Sequence, residues 1–298
     1  MARLVRSLLF VPGNNSRFLE KAKTLQADIV CFDLEDSVPD NEKKNARQLI
    51  KETLKRRSEY TPDVYVRINS PSSGKTVDDL TEITAKGIDG IVIPKVNNVN
   101  ELKKIEKTLS SLEKKRKLKP IELMPSIESA EGVVNSYAIA SSTKRIAALV
   151  FGVFDLLNDM GIEYTKQAEG AKYARSKISL DAKAAGTYAI DAIWQDLKDV
   201  NGLREDCIAG KNLGYSGKSI IHPDQIQVTH EIFYPNNTEI EWAEKVYKKY
   251  LEATKTGRGA TVIEGKMIDE VHYKRAKALL QVAKRIDTIN PTHVGTLD

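Results

Sequence analysis

Eight short apolar runs rich in β-branched residues recur along the chain, at residues 7–11, 28–33, 64–67, 90–94, 122–128, 147–151, 188–193 and 218–221. Their spacing averages about 30 residues, the length of one strand-helix unit in an eight-fold barrel. The runs are continuously apolar rather than alternating, as a parallel sheet covered on both faces requires. Between them lie longer stretches with helical spacing, such as 17–25, 41–56, 100–115 and 171–185. This pattern predicts an α/β fold, a (β/α)8 TIM barrel. An open doubly wound sheet would usually carry a glycine fingerprint after its first strand. Here the first run ends in Pro12-Gly13-Asn14-Asn15-Ser16-Arg17, which is not GxGxxG. Beyond Pro223 the strand signal fades, and helices are expected over 239–254 and 273–285, joined through the turn Gly257-Arg258-Gly259 and a short stretch at 262–269 that folds over a partner surface. The expected division is a barrel over 1–235 and a small helical C-terminal extension over 236–298.

With 41% hydrophobic and 29% charged residues in 298, the chain has the composition of an ordinary globular protein. Its net charge of +5 suits a polyanionic small ligand and is thin for nucleic acid. Cys31 and Cys207 stand far apart and outside any CxxC pair, so neither a disulfide framework nor a thiolate zinc site is supported, and Cys31 reads as a buried thiol. The apolar stretch near the N-terminus is too short for a membrane span and lacks a cleavage site, so the expected location is cytoplasmic.

The active site of a TIM barrel lies at the C-terminal ends of its strands, and there this sequence is acidic. The second run exits into Asp33-Leu34-Glu35-Asp36, the fifth into Glu128 and the sixth into Phe151-Gly152-Val153-Phe154-Asp155, while Arg67 and Lys95 end the third and fourth. Carboxylates meeting on one rim repel each other in a partly desolvated space. A divalent cation relieves that cost, and oxygen donors point to Mg2+ or Mn2+. Each acid taken singly reads equally as a solvated loop residue or a helix N-cap. Glu128 and Asp155, each closing a strongly apolar run, are harder to read that way. Lys95 has two readings, an anion ligand and a structural support for the rim. Other patterns fail: Gly217-Lys218-Ser219 resembles the end of a P-loop, but Asn212 stands where its first glycine belongs and the segment enters a strand. His222, His230, His272 and His293 do not form a ligand spacing, and His222 before Pro223 reads as a turn residue.

Taken in order, several segments resemble the citrate lyase β-subunit-like family of CoA-thioester lyases, which includes malyl-CoA and citramalyl-CoA lyases, within the HpcH/HpaI aldolase superfamily. They are Leu8-Leu9-Phe10-Val11-Pro12-Gly13 with Arg17 and Lys21, Asp33-Leu34-Glu35-Asp36-Ser37-Val38, Val66-Arg67-Ile68-Asn69, Ile93-Pro94-Lys95, Ile127-Glu128-Ser129, Phe151-Gly152 with Asp155 and Asp159, and Gly217-Lys218 with Ile221-His222-Pro223. The resemblance implies a magnesium-dependent barrel in which Glu128 and Asp155 are the metal ligands and Glu35 and Asp36 hold metal-bound waters. It further implies that Arg67 binds the oxoacid carboxylate or the thioester oxygen, and that Arg17 and Lys21 meet the CoA phosphates, with Lys95 a further cation at the site.

The implied reaction cleaves a citryl-, malyl- or citramalyl-CoA into acetyl-CoA and a 2-oxoacid. In such enzymes the C-terminal segment covers a neighbouring subunit's site and supplies an aspartate, which by position is Asp269 here, the base of the condensing direction. Asp269 has a second reading as an N-cap, and Glu270-Val271-His272 follow it where the family motif continues to a proline. A trimer, or a hexamer built from trimers, with the lid in trans is the implied assembly, with partner subunits if the chain serves a citrate lyase complex. No nucleic-acid or membrane partner is implied. Two other readings stay open: a metal-dependent pyruvate aldolase that works without CoA, and a non-catalytic subunit that binds CoA thioesters.

Overall fold

The structure, a computed structural model, describes residues 4–166 and 168–289, so His293 lies outside the described residues. Two compact units emerge, one over Val5–His230 and the other built around the chain from Glu231 onward.

In the first unit the strands are β1 (Ser7–Pro12), β2 (Ile29–Asp33), β3 (Asp63–Arg67), β4 (Gly90–Ile93), β5 (Glu122–Ile127), β6 (Ala148–Phe151), β7 (Tyr188–Asp191) and β8 (Gly217–Ile220). They run parallel in chain order and β8 returns to β1, closing the barrel that the apolar runs predict. Leu8, Ile29, Cys31, Tyr65, Val92 and Met124 pack together inside it. Their strand neighbours Leu9, Val30, Phe32, Val64 and Val66 point the other way, toward the helices, and are equally buried. Both faces being covered is why the runs do not alternate. The four expected helices appear at Ser16–Lys21, Lys43–Leu54, Val99–Arg116 and Lys172–Ala184.

Two buried polar groups brace this frame. Below the barrel, the Arg6 guanidinium donates to both Asp28 oxygens at 2.9 and 2.6 Å, and His230 Nε2 lies 2.8 Å from Ser7 Oγ. Burial pushes the His230 imidazole down to about 4, so it is neutral in the fold. Lys218, the lysine of the P-loop lookalike, is fully buried in β8 and pairs with Asp191 and Asp206 instead of an anion from solution. His222 orders its turn as expected, its Nδ1 accepting from the Asp224 N–H at 3.2 Å.

The second unit pairs helices Asn237–Lys255 and Glu270–Ile289 around Ala243, Val246, Ile263, Ile268 and Ala276. Asn236 and Glu239 cap the first helix reciprocally. The stretch at 262–269 corrects the expectation of a purely helical extension: it holds antiparallel strands β9 (Thr261–Ile263) and β10 (Lys266–Ile268). Their turn residues Glu264 and Gly265 both have positive φ, 50° and 76°, the backbone of a two-residue type I′ hairpin. Among the described residues, no helix is long and apolar enough to cross a membrane.

Candidate active site

The acidic rim forms at the strand exits, and the register of the barrel decides its wiring. Asp33 and Arg67 are the terminal residues of β2 and β3 and sit side by side in that register. Arg67 Nε and Nη2 donate to the two oxygens of Asp33, both at 2.7 Å. The Asp33 carboxylate also accepts from the Glu35 N–H at 2.8 Å, the Ser37 N–H at 3.0 Å and the Ser37 hydroxyl at 2.5 Å. Burial alone would raise its pKa, yet Arg67 outweighs that and holds it down to about 2. The guanidinium also lies over the Phe10 ring, 4.6 Å from its centroid. Arg67 is therefore a fixed cation.

The other acids of the rim are wired differently. Lys95 Nζ approaches Glu35, Asp36 and Asp155 at 3.0, 3.3 and 3.4 Å, from a backbone held in the left-handed region at φ 52°. These contacts favour the rim-support reading of Lys95. Glu35 is nearly enclosed, and burial pushes its carboxyl up to about 7, with Arg67 and Lys95 only partly offsetting. Its loop is pinned by the buried Lys43, whose ammonium donates to the carbonyls of Leu34 and Glu35 at 2.7 and 2.6 Å. Glu128 is 7% exposed, and burial reinforced by the Glu35 charge pushes it up to about 8. Its Oε2 is buried without a hydrogen-bond partner. Gly152 makes room for this side chain, because a Cβ there would lie 2.4 Å from Glu128 Cγ. Asp155 stands in the first turn of helix Val153–Asp159, its side chain 42% exposed. From the end of that helix, Asp159 accepts the Ala130 N–H at 2.8 Å and ties the two acid-bearing loops together.

Asp33, Asp36, Arg67, Glu128 and Asp155 line one cavity of about 410 Å3 above the barrel. Among the described residues no group of three or more His, Cys, Asp and Glu side chains forms a ready-made metal cage. Glu128 and Asp155 nevertheless fit a hard cation: both are oxygen donors, and the orphaned Oε2 needs a positive partner. Arg17 and Lys21 are exposed on helix Ser16–Lys21 and do not line this cavity. Asp269 belongs to the C-terminal unit, where it caps helix Glu270–Ile289. Its Oδ1 accepts from the Val271 N–H at 3.0 Å and lies 2.7 Å from His272 Nδ1, a bond that holds its carboxyl below the usual range. Three residues that sequence reasoning did not single out matter here: Lys43, Gly152, and Asp33 as the partner of Arg67. Only strand register joins Asp33 to Arg67, so the sequence carries no signal for that pair.

Residues 6–223 match the family HpcH/HpaI aldolase/citrate lyase. The mitochondrial citramalyl-CoA lyase of Rattus norvegicus is 35% identical over 94% of this chain and 86% of its own length. A (3S)-malyl-CoA thioesterase of Cereibacter sphaeroides is 33% identical over 94% of this chain and 95% of its own. Among solved structures, the protein CitE from Mycobacterium tuberculosis in complex with magnesium, acetoacetate and coenzyme A superposes with a TM-score of 0.77 at 27% identity, covering 94% of this chain and 98% of that one. The match spans the whole barrel and every acid of its rim, and the chain belongs to the HpcH/HpaI aldolase/citrate lyase family.

Proposed function

We propose that the protein is a magnesium-dependent carbon-carbon lyase that cleaves a 3-hydroxy-3-carboxyacyl-CoA into acetyl-CoA and a 2-oxoacid. The observation that carries this reading is the buried, unpartnered Oε2 of Glu128 beside a rim that also presents Asp155 and a fixed guanidinium. Glu128 and Asp155 would hold the cation, with Glu35 and Asp36 binding its outer waters. The metal, when bound, supplies Lewis acidity toward the oxygens of the substrate's hydroxyl and carboxylate. Cleavage gives the hydroxyl proton to a rim carboxylate, turns the carbinol into the keto group and moves the electron pair of the breaking carbon-carbon bond onto the thioester, where an enolate oxygen develops until its carbon takes a proton to become the acetyl methyl. Arg67, locked to Asp33, offers a preorganised cation to that oxygen. Arg17 and Lys21, exposed on the helix that follows β1, suit the phosphates of CoA.

In the condensing direction a base must take a methyl proton from acetyl-CoA. Asp269 of a neighbouring copy is assigned that role in a homo-oligomer. The exposed Val262, Met267 and Val271 near it suit a contact with another copy of the chain.

The test incubates purified protein with Mg2+ and, separately, malyl-CoA, citramalyl-CoA and citryl-CoA, following acetyl-CoA release with a chelator control and an Asp155→Ala variant. Cleavage of one thioester, lost to the chelator and in the variant, is the expected result. If all three stay intact with folded, metal-binding protein, the reading fails and a pyruvate aldolase takes its place.

A further inference from the structure

The cavity above the barrel is divided by charge. One arc, from the exits of β2, β3, β5 and β6, carries the four carboxylates and Arg67. The exits of β7 and β8, opposite β3 and β4 in the barrel order, bring Ile193, Ile221 and Ser219, with Val150, Phe154 and Phe10 completing the apolar lining. Among the described residues Arg67 is the cation in this lining; its Nε and Nη2 are bound to Asp33, its Nη1 faces Glu35 and Asp36, and the lyase reading commits it to the thioester oxygen. The lysine of β8, Lys218, turns away and is consumed by Asp191 and Asp206. Ser219, its neighbour in β8, lines the cavity, and its buried hydroxyl has no hydrogen-bond partner.

The substrate's tertiary carbon has four substituents. Its oxygen and its carboxylate belong at the acidic arc with the cation, and the thioester arm runs past Arg67 to solvent. The fourth substituent is then directed at the apolar arc. In malyl-CoA it is hydrogen, in citramalyl-CoA a methyl, and in citryl-CoA a carboxymethyl group. A carboxylate directed at Ile193, Ile221 and Phe154 would give up part of its hydration to apolar side chains with no free cation to replace it, a penalty larger than the value of one methyl.

We infer that this chain selects thioesters whose 2-oxoacid product carries no second carboxylate, glyoxylate or pyruvate rather than oxaloacetate, and that Ser219 sets the room for the substituent. The inference rests on the lyase reading above and narrows it.

The experiment measures kcat/KM for malyl-CoA, citramalyl-CoA and citryl-CoA with Mg2+, on the wild type and on Ser219→Val and Ser219→Ala, with circular dichroism confirming each fold. Citryl-CoA is expected at least a hundredfold below the better of the other two. Ser219→Val, which adds bulk, should raise the malyl-to-citramalyl ratio about tenfold, whereas Ser219→Ala, which does not, should leave that ratio within about threefold. Citryl-CoA turnover inside that hundredfold margin overturns the inference and leaves the lyase standing. An unchanged ratio in Ser219→Val overturns the role of Ser219. Failure of all three thioesters removes the lyase reading and this inference with it.

Discussion

The Asp33–Arg67 pair and Glu35 lie on one rim, yet their electrostatics predict opposite responses to losing a charge. Asp33→Asn keeps the shape of the side chain, removes its charge, and turns an N–H2 toward Arg67 and Ser37, both of which are donors. In the fold the Asp33 pKa is lowered from 3.8 to about 2, and a shift of that size corresponds to roughly 2 to 3 kcal/mol of preference for the ionised form. Breaking a buried pair costs about 3 to 5 kcal/mol in general. The two estimates meet near 3 kcal/mol, equivalent to a fall in Tm of roughly 6 to 12 °C for a chain of this size. Neither side chain is exposed enough for solvent to screen this, at 1% and 14%. Glu35→Gln should behave otherwise, because burial already favours its neutral form, and the substitution is expected to be neutral or stabilising at pH 7.5. Urea unfolding of both variants in chelator-treated buffer measures the contrast. Activity should fall by about a hundredfold or more in Asp33→Asn as Arg67 loses its orientation. A cost below about 1 kcal/mol for Asp33→Asn, or an equal cost for Glu35→Gln, refutes the division of roles on the rim.

Two further expectations follow from the same geometry. Gly152→Ala places a methyl 2.4 Å from Glu128 Cγ while leaving the backbone at a comfortable φ of −112°, so it should displace Glu128 and reduce Mg2+ affinity at least tenfold by calorimetric titration. His230 binds a proton near pH 6.5 when unfolded but only near 4 in the fold, so its contribution is fully present above pH 6.5 and is lost as pH falls toward 4, up to about 3 kcal/mol. His230→Gln should flatten that acid limb in urea titrations across pH 4 to 7.

The barrel is legible in the sequence because burial on both faces writes each strand as an unbroken apolar run, and the site because a TIM barrel gathers whatever polar residues end those runs. What the sequence leaves unread depends on contacts between distant segments. Asp33-Leu34-Glu35-Asp36 looks like a set of equivalent acids, yet the β2–β3 register gives Asp33 a guanidinium and leaves Glu35 half-compensated. Lys43 reads as one more surface lysine on an amphipathic helix until its ammonium is found under the loop. The C-terminal hairpin escapes because its turn is Glu264-Gly265, without the Asn or Asp that usually announces a type I′ turn.

The charge on the rim explains why a divalent ion, rather than a further lysine, suits this site. Arg67 and Asp33 cancel each other. Four acids then remain; Lys95 reaches Glu35, Asp36 and Asp155, and the third guanidinium nitrogen of Arg67 approaches Glu35 and Asp36 at 3.4 and 3.5 Å, so Asp155 has the lysine alone. Glu128 has no ion-pair partner among the described residues and is, with Glu35, one of the two buried acids of the four. A proton on Glu128 would neutralise that side chain alone and leave Asp155 sharing its lysine. A divalent ion held by Glu128 and Asp155 would neutralise both and would leave Lys95 to Glu35 and Asp36. Lys95 would then be the counter-charge that holds Glu35 and Asp36 together at the rim. This division gives the lysine a physical role that neither reading of its sequence position contains alone.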